Sequence, residues 1–136
     1  MILKQIFRKL ANLTAGLNNH KNSVPLQRIE AMFERMANKS GWNVDGDLLW
    51  GYFFTDHSKF KLEKAAGELE QLGYTIAELR KGEEEKVYIL HIEEVTTHTP
   101  QSLNDRNEFL VNFARQHNIE VYDGYDVGLV KQNPKL

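Results

Sequence analysis

Four residues at the end of one apolar run could do the most chemistry: His91, Glu93, Glu94 and His98. Imidazoles and carboxylates are ligands for zinc and non-haem iron. In an extended strand His91 and Glu93 share a face, His98 follows just beyond, and Glu94 points the opposite way. A small metal-dependent enzyme built on His91, Glu93 and His98 is therefore one reading. No H-E-x-x-H or other established ligand spacing occurs, so the bland reading, a polar stretch of strand, outweighs it. Glu93 and Glu94 are the nearest approach to a carboxylate pair. Adjacent strand residues lie on opposite faces, so the two cannot flank one substrate bond. The chain has no cysteine, which excludes a thiol nucleophile, a Cys-based zinc site and a disulfide framework. It also lacks a P-loop, another Gly-rich phosphate loop and a nucleophile elbow. The reading is of a non-enzyme that uses no cofactor.

Two aromatic stretches could recognise a partner. Trp50, Tyr52 and Phe54 alternate along a second apolar run, and sheet aromatics of this kind stack RNA bases in some domains. The basic, glycine-containing pattern that accompanies such platforms is missing from residues 87–95, where Glu93 and Glu94 would repel phosphate. Asp123-Gly124-Tyr125-Asp126-Val127-Gly128 is the most distinctive local stretch. Asp-Gly reads first as a tight turn. A turn can also present Tyr125 as an anchor between acids suited to a basic partner.

The elements that must position these groups follow from periodicity. Residues 87–95, V-Y-I-L-H-I-E-E-V, are apolar on both faces at first, as expected of a central strand. Before it come a strand at residues 48–54, a helix with the stripe Leu62, Ala65, Ala66, Leu69 and Leu72, and a short strand at residues 74–79. After it come a helix at residues 103–117, with Leu103, Phe109, Leu110, Phe113 and Ala114 inward, and a strand at residues 119–122. The order is β-α-β-β-α-β, an α+β ferredoxin-like sandwich with both helices on one face. The expected second face carries Ile89, His91 and Glu93 together with Trp50, Tyr52 and Phe54. A bulge at Gly51 would invert that parity.

A leading helix is expected at residues 25–39, with Leu26, Ile29, Met32 or Phe33, and Met36 as its apolar stripe and Gly41 as its stop. Residues 1–16 form the pattern of a basic amphipathic helix, with Ile2, Ile6, Leu10, Leu13 and Leu17 in one stripe. A polar linker runs from there to residue 24, residues 25–130 make the main domain, and residues 131–136 form a patternless tail. Residues 1–22 hold Lys4, Arg8, Lys9 and Lys21 and no acid, a formal +4. Net charge is −2, so the remainder carries −6. An acidic body does not suit direct nucleic-acid binding. The one RNA-binding reading available rests on the basic arm with the sheet aromatics. No run is long and apolar enough to span a membrane, and no signal peptide is legible, so the expectation is a cytoplasmic protein.

Two stretches resemble a known family. L-E-K-A-A-G-E-L-E-Q-L-G-Y from Leu62, followed by an acidic hairpin, and I-E-V-Y-D-G-Y-D-V-G from Ile119 look like the bacterial regulators of ribonuclease E activity B, the RraB-like proteins. The similarity covers roughly residues 26–128. It implies a ferredoxin-like domain and a non-catalytic protein inhibitor whose partner is the disordered scaffold region of ribonuclease E. The chain departs from that family's best-known acidic pattern in its final V-K-Q-N-P-K-L and in its basic arm. The candidate contacts for a protein partner are Trp50, Tyr52, His91, Glu93, Tyr122, Asp123, Tyr125 and Asp126.

Overall fold

The computed structural model describes residues 25–83 and 86–130. The basic amphipathic helix expected over residues 1–16, the linker to residue 24 and the tail from residue 131 lie outside them. The described elements are α1 (Leu26–Asn38), β1 (Leu48–Asp56), α2 (Lys59–Gln71), β2 (Thr75–Lys81), β3 (Tyr88–Thr96), α3 (Pro100–Gln116) and β4 (Val121–Gly128).

The four strands form one sheet in the order β2-β3-β1-β4, every neighbour antiparallel. This is the split β-α-β arrangement of the ferredoxin-like fold, an α+β architecture with β1 and β3 central. β3 is central because it buries Leu90 and Ile92 against the helices while Ile89 and His91 stay half-buried on the other side.

Each helix begins and ends where local chemistry requires. Ser58 caps α2 by accepting from the Lys61 amide at 3.2 Å. Thr99 caps α3 in a reciprocal box with Ser102, and Pro100 stands at the first helical position. Both devices satisfy amides that have no intrahelical partner. Gly41, with φ +70°, ends the turn that follows α1.

The helices share one face. Ile29, Met32, Phe33 and Met36 of α1 join Leu62, Ala65 and Leu69 of α2 and Leu103, Leu110, Val111, Phe113 and Ala114 of α3 in a single core. The sheet contributes Leu48, Trp50, Tyr52, Phe54, Leu90, Ile92, Tyr122, Tyr125 and Val127. Phe109 and Leu72, expected inward, are instead 46% and 58% exposed, each at the margin of its helix stripe.

Two further expectations are corrected. Trp50, Tyr52 and Phe54 point into the helical layer, so the second face takes the other parity of β1: Leu49, Gly51, Phe53 and Thr55. Their cross-strand partners Val95, Glu93, His91 and Ile89 fix this, since directly opposed residues share a face. The Asp123-Gly124 pair does not end the last strand. β4 continues through it to Gly128, and the register against β1 shifts between Tyr52 and Phe54. Gly124, with φ +95°, absorbs this bulge, which keeps both Tyr122 and Tyr125 on the core face.

Candidate functional site

The sheet separates the polar residues of β3 into two constellations. Glu94 and His98 belong to the helix side, while His91 and Glu93 belong to the second face. The metal set His91, Glu93 and His98 is therefore split by the sheet, because strand side chains alternate. Among the described residues no group of three or more potential ligands could hold a metal ion.

On the helix side Glu94 is the hub. Its Oε2 accepts from Tyr52 Oη at 2.7 Å and from Arg106 Nη1, and His98 Nε2 stands 3.7 Å away. Arg106 Nη1 also donates to Tyr74 Oη at 2.7 Å. His98 Nε2 lies 3.0 Å from Tyr52 Oη and its Nδ1 lies 2.8 Å from Ser102 Oγ. With Tyr52 donating to Glu94, Nε2 is the donor in the His98–Tyr52 contact. Burial opposes ionisation of Glu94. The nearby His98 imidazole and hydrogen bonds from Tyr52 and Arg106 overcome it and hold the carboxyl pKa at about 2. The same burial and the neighbouring carboxylate push the Tyr52 phenol well above its usual value.

This network floors a cleft of about 590 Å³ walled by Leu72, Tyr74, Thr96, Thr97, Asp105 and Phe109. The hydroxyl of Ser102 beside an imidazole has the look of a nucleophile. It is already committed to the helix cap, since it accepts from the Thr99 amide at 2.9 Å and donates to the Thr99 carbonyl at 3.2 Å. His98 is 4% exposed and wedged edge-on against Trp50, with ring centroids 5.0 Å apart. Position by position, the constellation ties β3 to α3.

The second face is organised around Gly51. A Cβ at this position would lie 2.3 Å from Asp126 Oδ1 and 2.7 Å from His91 Nε2, so the missing side chain is what lets the two groups converge over β1. Phe53 stacks on the His91 ring at 4.2 Å, with the planes 15° apart. Glu93 Oε2 is 3.6 Å from His91 Nε2. Cross-strand pairing adds Thr75 and Glu78 of β2 opposite Glu93 and His91. The result is an apolar strip of Leu49, Phe53, Ile89 and Val95 bearing the acids Glu78, Glu93 and Asp126.

The eight candidate contacts divide accordingly. Trp50, Tyr52 and Tyr125 are fully buried and Tyr122 nearly so. Trp50 stacks with Phe33 of α1, Tyr122 donates to Asn107 Oδ1 at 2.7 Å, and burial raises the Tyr125 pKa to about 12. These four are core residues that shape the sheet. His91, Glu93 and Asp126 come together over Gly51, and Asp123 sits half-buried in the bulge. Arg106, Tyr74 and Gly51 were absent from the sequence-derived candidates. Glu94 shares the parity of Leu90 and Ile92, and a carboxylate on a core face requires a cation, which was the available signal for Arg106.

No helix among the described residues is long and apolar enough to cross a membrane. Comparison with curated proteins gives no match. A family profile described as regulator of ribonuclease activity B matches residues 27–127, a span that runs from α1 into β4 and takes in both constellations. The chain belongs to the RraB family, the regulators of ribonuclease activity B.

Proposed function

We propose that this protein is a non-catalytic, cytoplasmic regulator of RNA turnover that binds the scaffold region of ribonuclease E and modulates its action by protein contact. The observation that carries the reading is the second sheet face, where His91, Glu93 and Asp126 converge over Gly51 beside an apolar strip. Such a surface suits a basic segment with apolar side chains. Apolar contacts supply the area, and the acids supply orientation and encounter rate. Occupying a basic scaffold segment would mask it from RNA or from other proteins recruited there. The family match supports a regulator of ribonuclease activity.

The test is binding of the full chain to the purified scaffold half of ribonuclease E from the same cell, at low and at moderate salt. Saturable binding that weakens with salt is the expected result. No binding at roughly tens of micromolar protein would overturn the partner assignment. The RNA reading loses its platform, because Trp50, Tyr52 and Phe54 are buried in the core.

A further inference from the structure

We infer that the basic arm, residues 1–22, docks on the second face of its own sheet and that a partner must displace it to bind there. Three observations converge. The first is burial. All three described helices pack on the opposite face, yet on this one Phe53 is 6% and Asp126 1% exposed. Phe53 lies outside the core cluster, and the His91 ring stacked on it covers one side of it only.

The second is charge. The arm holds four bases and no acid. The face presents Glu78, Glu93 and Asp126 against Arg80, whose side chain is already 3.5 Å from Glu78. On the helical repeat Lys9 flanks the apolar stripe and would meet the acids at its edge, while Lys4 and Arg8 fall on the outer side of the helix.

The third is apolar pattern and size. The arm offers Ile2, Ile6, Leu10, Leu13 and Leu17 at helical spacing. The face offers Leu49, Phe53, Ile89 and a Val95 that is 52% exposed. A sixteen-residue helix is about 24 Å long, and a nine-residue strand about 30 Å, so such a helix fits within the length of β1. The eight residues before Pro25 can span at most about 28 Å, enough to pass from the start of α1 around a sheet edge.

That the arm governs partner access rests on the partner reading above, whereas the docking itself does not. Both are measured on the full chain. Arg8→Glu with Lys9→Glu lies outside the described fold, so the core remains as a reference. Docking predicts that this variant moves the NMR resonances of Phe53, Ile89, His91, Glu93 and Val95. Adding Glu93→Arg is expected to return a part of that shift by restoring an opposite-charge pair. Carbodiimide coupling in dilute monomer is expected to join Lys9 to Glu93 or Asp123. Resonance changes confined to residues 1–24 would overturn the docking. So would couplings found only in covalent dimers, which would give the face to a second copy.

Titration with the ribonuclease E scaffold half then tests the competition. If the arm covers the face about nine-tenths of the time, the Arg8→Glu/Lys9→Glu chain binds about tenfold more tightly. Equal affinity, with docking confirmed, overturns competition. Absence of binding by either chain overturns the partner reading while the docking evidence stands.

Discussion

Glu94 is a carboxylate with 17% of its side chain exposed, and it stays ionised because its surroundings leave no better state. Its pKa in the folded chain, about 2, lies below the ordinary 4.5. A depressed pKa means that the folded state favours the carboxylate. The resulting stability is fully present above the ordinary value and is lost as pH falls from about 4.5 towards about 2. The shift corresponds to about 3 kcal/mol as an order of magnitude. Glu94→Gln keeps the shape and removes the charge, leaving Arg106 without its carboxylate. Urea unfolding at pH 7 is expected to show a loss of about 2–3 kcal/mol, with a flatter dependence between pH 5 and pH 2 than in the parent chain. Gly51 gives the complementary prediction on the second face. Gly51→Ala puts a methyl where Asp126 and His91 converge. The groups it meets are side-chain ends, so the expected cost is modest, about 1 kcal/mol. The His91 ring and the Asp126 carboxylate must nevertheless rearrange. Displacement of the His91 ring resonances without loss of cooperative unfolding is the outcome that checks it.

At the scale of elements, α1 is where local pattern and final structure agree most directly. Its helical period selects Ile29, Met32, Phe33 and Met36, and these are the residues it buries. Phe33 stacks on Trp50 with centroids 5.9 Å apart, so Phe33→Ala is expected to cost about 3 kcal/mol in chemical denaturation. Thr99→Ala opens the cap of α3 and is expected to cost about 1 kcal/mol, again by denaturation at neutral pH. The strands were legible as strands but not in their parity. Both alternations of β1 are apolar, and a glycine within it left room for an inversion, so sequence had no means to choose. The choice is made across strands, where Tyr52 and Phe54 join Leu90 and Ile92 against the helices. The extent of β4 was hidden for a related reason. Asp-Gly is the composition of a tight turn, and only pairing with β1 turns it into a bulge inside a strand. Of the candidate site, His91 and Glu93 were legible because they share one strand at a spacing of two. Asp126 depended on that bulge, and Arg106 on a helix–sheet contact that no local pattern encodes.

For the whole molecule, charge is distributed more tellingly than its net value of −2 suggests. A +4 arm precedes a −6 remainder, and the acidic sheet face is the surface on which arm and basic partner would compete. Salt weakens both contacts, since at physiological ionic strength charges more than about 8 Å apart are largely screened. The two effects oppose each other in the apparent affinity. Raising salt loosens the partner directly, but it also frees the face by loosening the arm. The full chain is therefore expected to show a shallower salt dependence than the Arg8→Glu/Lys9→Glu chain, whose face is already free. Calorimetric titration of the ribonuclease E scaffold half at three salt concentrations measures both slopes. Glu93→Lys, which reverses one acid of the face, is expected to weaken scaffold binding by the Arg8→Glu/Lys9→Glu chain severalfold and to make its slope shallower. Parallel slopes for the two chains would mean that arm and partner do not share this face. A slope near zero for both would move the partner's contact from the acids to the apolar strip of Leu49, Phe53, Ile89 and Val95.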